Sequence, residues 1–356
     1  MPSGLEERQF KPSLELLEIQ KAAFAGNERA KVELAVRTYY GEGLPIDYDI
    51  AVSFCRETEH PITNFILSRA LSYGVGVSRN KKQAERLTRS ALEEIETLAI
   101  GGDGLAYYCL GQAALVKTVP DPITARAYFQ KAIDLECNLG LEGLGSVLIE
   151  SKQEADIRRG FGLLKTAIEY QSAYAAKLLA TFFSKRGDRA QETQYLQVAV
   201  WMQEPSSMID LGLIYMEKGE MRKGAALFER ALQKWSGSTE ALTMLGFCYY
   251  RGKGVSQDYG KALEFANRAV SNGGADACIL LAYLYQSGFA VPKSEPTAYA
   301  WTLVGISQGS NCKENLGFRD RLEAKLSAVQ IGEAQVKANG LKDQMERDLR
   351  NEAPGR

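Results

Sequence analysis

The stretch Ala241–Ala269 reads ALTMLGFCYYRGKGVSQDYGKALEFANRA, and far earlier Ala30–Phe54 reads AKVELAVRTYYGEGLPIDYDIAVSF. In both, an Ala precedes a Leu by four positions, and two glycines follow that Leu by seven and nine. An Asp stands four after the second Gly, an Ala four after the Asp, and a Phe three after that Ala. Two stretches that agree at this many offsets mark an internal repeat, and a repeat decides the architecture before any local reading does. Extending the alignment gives anchor leucines at Leu34, Leu67, Leu110, Leu144, Leu179, Leu211, Leu245 and Leu281, with successive spacings of 33, 43, 34, 35, 32, 34 and 36. Eight units of about 34 residues thus span roughly residues 28–310.

Each unit reads as two antiparallel helices. In Ser206–Trp235, Ile209, Leu211, Leu213, Tyr215 and Met216 form one broad apolar stripe, Gly219 ends the helix, and Ala225, Phe228 and Ala231 mark a second amphipathic helix. A small residue follows most anchors (Gly111, Gly145, Ala180, Gly212, Gly246, Ala282) and leaves room for a neighbouring helix. One such pair cannot bury its apolar face alone, whereas stacked pairs can. The expected fold is therefore all-α, a right-handed α–α superhelical solenoid of about eight hairpins. Residues 1–27 are expected as an N-terminal capping helix, N-capped by Ser13. Residues 311–356 are expected as C-terminal capping helices and a tail that frays from about 342. The long spacing between Leu67 and Leu110 predicts an extended second helix or an insertion near Gly101–Gly104.

The sequence resembles Sel1-like repeats in units one, two, seven and eight. GEGLPID at 41–47, GVGVSRN at 74–80 and GKGVSQD at 252–258 carry the paired glycines, and SGFAVPKS at 287–294 keeps the first Gly but has Ala290 for the second. The middle units are similar to plain tetratricopeptide repeats. The resemblance covers about 80% of the chain. It implies a binding scaffold, typically in bacterial envelope, secretion, polysaccharide-export or signalling assemblies.

Composition narrows the function classes. The chain has 356 residues, 24% charged, with a formal net charge of −1, which gives no general attraction to nucleic acid or anionic membrane. His60 is the single histidine, so any site needing two is excluded, and its place before Pro61 reads as a loop. The six cysteines are no closer than 28 residues (Cys109 to Cys137), without a C-x-x-C pair, and read as free, mostly buried thiols. The polar start, residues 1–10, has no apolar stretch of leader length. That predicts a cytoplasmic chain as given, or a periplasmic one if a leader was removed. Gly143-Leu144-Gly145-Ser146 has glycines around a serine but no strand–turn–helix context, and the paired turn glycines are too short for a phosphate cradle. No catalytic residue, cofactor or metal is expected.

What remains is surface. Helix-hairpin solenoids line their concave face with first helices, and positions near the anchor should point there. This selects Tyr40, Arg69, Tyr73, Gln112, Lys177, Thr181, Lys185, Phe247, Tyr250, Arg251 and Tyr283 as candidate partner-binding residues. Aromatics and Arg are favoured interface anchors. The Lys–Asn arrangement with which chaperone-binding tetratricopeptide domains clamp a carboxylate is not matched. The expected function is a non-catalytic adaptor for a peptide or protein. The alternative is a regulatory or self-assembling subunit of an enzyme complex, acting through its convex face or C-terminal helix.

Overall fold

The computed structural model describes residues 14–116 and 119–350, which form nineteen helices and no strand. A lone helix, α1 (Leu14–Phe24), precedes eight hairpins. These are α2 (Glu28–Tyr40) with α3 (Tyr48–Glu57), α4 (Pro61–Tyr73) with α5 (Lys81–Ile100), α6 (Gly104–Val116) with α7 (Pro122–Asp134), and α8 (Leu139–Ile149) with α9 (Glu154–Glu169). Then come α10 (Ala173–Lys185) with α11 (Arg189–Trp201), α12 (Pro205–Glu217) with α13 (Met221–Lys234), α14 (Thr239–Arg251) with α15 (Tyr259–Ser271), and α16 (Ala275–Ser287) with α17 (Glu295–Ser307). Two further helices, α18 (Lys313–Glu323) and α19 (Ala328–Arg350), end the described chain. The chain forms two compact units, one of Met1–Val77 with Lys81–Leu211, the other of Ser78–Asn80 with Gly212–Arg356.

The repeat offsets have local physical causes. The Asp four after the second Gly is the N-cap of the second helix: Asp47 accepts from the Ile50 N–H and Asp258 from the Lys261 N–H, each at 3.0 Å. The first of the paired glycines is a left-handed C-cap, as at Gly41, Gly74, Gly252 and Gly288. Seven anchors are buried at 7% exposure or less, while Leu67 is only half-buried because Ile66 and Ala70 take the core side of α4.

The second turn glycine serves close approach. A Cβ at Gly254 (φ +80°) would stand 2.2 Å from the Met221 carbonyl oxygen, and one at Gly76 (φ +63°) 2.3 Å from that of Tyr48. In each case the turn of one hairpin rests on the start of the preceding hairpin's second helix. Gly254→Ala is therefore expected to destabilise by about 2 kcal/mol or more, from the left-handed backbone plus the collision. Gly219→Ala has a similar φ of +81° but open space around it, and should cost only the conformational part. Denaturant titration of both variants checks the difference. Ala290, which breaks the glycine pattern, keeps the left-handed conformation at φ +60°.

The long spacing is the twenty-residue helix α5, not an inserted loop. The expectation of a tail fraying from 342 is corrected. α19 runs to Arg350, and Met345 is 3% exposed with its sulfur 3.9 Å from Cys278 Sγ, because α19 covers α17 and the end of α15. α19 thereby adds a third neighbour to α17, which also packs on α16 and α18. Ser13 and residues 351–356 lie outside the described residues.

Candidate binding site

In the first unit the inner helices meet across the centre. The Ala173 N–H donates to the Gly41 carbonyl at 3.4 Å, Glu42 and Ser172 form a bridge pair, and Ile46, Ala173 and Met202 share a small core. The first hairpin thus touches the fifth, and inner-face side chains pack on one another. Tyr40 stands edge-on to Tyr39 at 5.0 Å and to Tyr108 at 5.2 Å between ring centroids. Tyr108 donates to Glu142 Oε1 at 2.9 Å and accepts from Gln112 Nε2 at 2.9 Å. Ser172 donates to the other Glu142 oxygen. Burial pushes Glu142 up to about 7 and the Tyr39 hydroxyl up to about 12. Burial likewise raises Tyr40 and Tyr108 well above the usual phenol range.

Arg69 enters this cluster from α4. Its guanidinium lies 5.7 Å from the centroid of the Tyr73 ring, which is 52% exposed, and faces the Tyr39 hydroxyl. Its Nε is sealed from solvent and unbonded, as is the Tyr40 hydroxyl. Tyr174, 40% exposed, feels the charges of both Arg69 and Glu142 from α10.

The structure therefore brings Tyr40, Arg69, Tyr73 and Gln112 together. Tyr40 is less open than an inner-face candidate should be, at 8% exposure, because the unit closes on itself. Lys177 is held by Ser206 and lies 3.4 Å from Asp210 and 4.0 Å from Glu204. Thr181 is exposed and bonds back to the Lys177 carbonyl, while Lys185 pairs with Glu150 at 2.7 Å on the surface. Sequence reading missed Glu142, Tyr174 and Glu204. Glu142 was findable: it lies two before its anchor, an acid at an inner-face position of the otherwise apolar segment LGLEGLGSVLI.

The second unit groups the remaining candidates. The exposed Arg251 guanidinium lies 5.2 Å from the Phe247 ring centroid. Tyr283 stands edge-on to Phe247 at 6.4 Å and stacks with Tyr250 at 6.1 Å. Phe247, Tyr250 and Tyr283 are all half-buried, and Phe318 of α18 covers one side of Tyr283 at 4.5 Å.

The doubtful chemistry resolves into structure. Gly143-Leu144-Gly145-Ser146 is helical interior, with Ser146 donating to the Gly143 carbonyl at 2.7 Å. His60 caps α4 by accepting from the Ile62 N–H at 3.2 Å. Cys55, Cys109, Cys248 and Cys278 are buried, which raises their thiol pKa values and removes nucleophilic character. Among the described residues no three His, Cys, Asp or Glu side chains group as a metal site, and no helix is long and apolar enough to cross a membrane.

The Sel1 repeat family model matches five stretches, residues 29–57, 63–94, 103–137, 239–274 and 275–310. A protective antigen of uropathogenic Escherichia coli strains with an SLR fold is similar over 95% of this chain and 80% of its own, at 21% identity and a TM-score of 0.59. A Sel1 repeat protein from Oxalobacter formigenes is similar over 88% of this chain and 92% of its own, at 21% identity and a TM-score of 0.48. No curated protein matches the chain. Repeat proteins of the Sel1 and tetratricopeptide kind generally act as protein-interaction scaffolds, typically without catalysis. Helix hairpins of this period, closed by left-handed glycines and matched at both ends of the array, make this chain a Sel1-like repeat protein.

Proposed function

We propose that the chain is a non-catalytic adaptor that holds a peptide or protein partner on the inner face of its first helices, within a bacterial envelope, secretion, export or signalling assembly. The observation that supports this best is the cluster of Phe247, Tyr250, Arg251 and Tyr283. A guanidinium and three aromatic rings share one partly open surface there, and these residue types dominate binding energy at interfaces. Tyr73 and Tyr174 offer similar rings in the first unit. In a pull-down from the native cell, Phe247→Ala with Tyr250→Ala should reduce partner recovery at least about tenfold, the loss of one or two anchors. Unchanged recovery from a folded variant overturns the reading.

One observation favours the alternative, self-association through the C-terminal helix. Val329 and Val336, seven residues apart on α19, are 70% and 73% exposed and lie on one helical face. Light scattering over a hundredfold concentration range distinguishes the two. A dimer abolished by Val329→Glu with Val336→Glu supports association through α19, and a monomer throughout rejects it.

A further inference from the structure

The Arg69 guanidinium of the first unit bonds to the Tyr39 hydroxyl rather than to a carboxylate. No carboxylate lies within ion-pair distance of it among the described residues, although the inner face carries Glu142 and Glu204 nearby. Its neighbours are phenols: Tyr39, Tyr40, Tyr73 and Tyr108. Its Nε finds no acceptor, and the adjacent Tyr40 hydroxyl finds no partner either. Buried polar atoms in folded chains are almost always bonded, and a half-buried cation without an anion is costly. Two such atoms, on side chains that feel each other's charge, point to a group that the chain itself does not supply.

We infer that Arg69 and Tyr40 form a receptor for a carboxylate carried by a peptide partner, with Tyr73 and Tyr174 as walls for an adjoining apolar side chain. The inference rests on the adaptor reading and adds the chemistry of the partner. A carboxylate fits the donors, since an Arg edge offers Nε and Nη side by side to two oxygens and the Tyr40 hydroxyl supplies a third donor. Tyr73 lies over the guanidinium and is more than half exposed, so it is the ring of this cluster with most room to move aside for a ligand. A phosphate dianion fits less well, because Glu142 and Glu204 lie in the same electrostatic neighbourhood while Arg69 brings one positive charge. A carboxylate carries half the charge of the dianion and meets correspondingly less repulsion from them.

The Arg69 Nε–H resonance of the full chain, assigned by its loss in Arg69→Lys, provides the test. N-acetyl-phenylalanine, titrated to tens of millimolar, should shift it saturably, and N-acetyl-phenylalaninamide should not. A peptide ending in an amide but carrying an internal Glu distinguishes a side-chain carboxylate from a chain terminus. Inorganic phosphate should bind more weakly than N-acetyl-phenylalanine. Tyr40→Phe should weaken N-acetyl-phenylalanine binding several-fold. Arg69→Met should abolish it and raise the free chain's melting temperature by about 2–4 °C or leave it unchanged, because a poorly paired buried charge is removed. A purely structural Arg69 predicts the opposite shift in melting temperature. Equal responses to the acid and the amide, no response to either, or a melting temperature that falls in Arg69→Met overturns the inference. If N-acetyl-phenylalanine fails while Phe247→Ala with Tyr250→Ala still loses the native partner, the adaptor reading stands and the carboxylate receptor falls.

Discussion

Phe129→Ala is expected to cost about 3–5 kcal/mol, the range for removing a buried aromatic ring. The ring is 0% exposed and projects from α7 between two glycines on neighbouring first helices. A Cβ at Gly111 of α6 would stand 2.4 Å from it, and one at Gly143 of α8 also 2.4 Å. It packs on Tyr108 as well, with centroids 5.8 Å apart. Its loss therefore leaves a void bounded by α6, α7 and α8. Hydrogen exchange of the α6, α7 and α8 amides should show the reduced opening energy directly. Gly143→Ala acts on the same contact from the other side and should cost about 1–3 kcal/mol by overpacking. Combined with Phe129→Leu, which vacates part of the ring's space, the two penalties should sum to less than their separate values, since the positions share one contact. Strict additivity would show that Gly143 is small for some reason other than Phe129.

These glycines mark the boundary of what the sequence makes legible. The offset between anchor and small residue is written in most units, because a helix surface repeats on a fixed period and the hairpin imposes the same close approach each time. The turn glycines, the capping Asp and the aromatic of the second helix are legible for the same reason: each acts within one hairpin or between adjacent ones. The extended α5 is legible as a spacing, though not as helix rather than loop. What the repeat cannot express is contact between hairpins two or four apart. Gly41 meets Ala173, and Tyr40, Arg69, Tyr108 and Glu142 converge, only because small rotations accumulate from hairpin to hairpin. The same accumulation turns Tyr40 from an exposed candidate into a buried ring. Phe318 against Tyr283 arises from the non-repeating end of the chain, where no period exists to read.

Stability of the first unit should fall by about 3 kcal/mol as pH rises from near 4.5 to above 7, through Glu142 alone. Its carboxyl is pushed up to about 7 by burial, above the ordinary value of 4.5 that it regains on unfolding. A carboxyl with a raised folded pKa favours the folded state in its protonated form. The contribution is thus complete below 4.5, declines by about 1.4 kcal/mol per pH unit in between, and is gone once pH passes 7. The hydrogen bonds from Tyr108 and Ser172 lower the pKa and so limit the rise, but they do not cancel the cost of burying the charge. Glu142→Gln carries no titratable proton and is close in shape. Its amide oxygen can accept from Tyr108, and its nitrogen can donate to Ser172, whose oxygen already accepts from the Ala175 N–H at 3.1 Å. Glu142→Gln should therefore match the wild type near pH 4.5 and exceed it at pH 8 by up to about 3 kcal/mol. Carboxylates with lowered pKa values, such as Asp103 beside Arg29, push stability in the opposite direction with pH. They are common to both proteins and cancel in the difference. Denaturant titrations of the two chains at half-unit pH steps measure that difference. A flat difference across pH 4.5–8 would mean that Glu142 keeps its charge when folded, with a cation drawn close enough to compensate it. Arg69, which like Glu142 acts on Tyr40 and Tyr108, is a candidate for that cation, so the same measurement also reports whether that guanidinium is already satisfied inside the chain or is left for a partner's carboxylate.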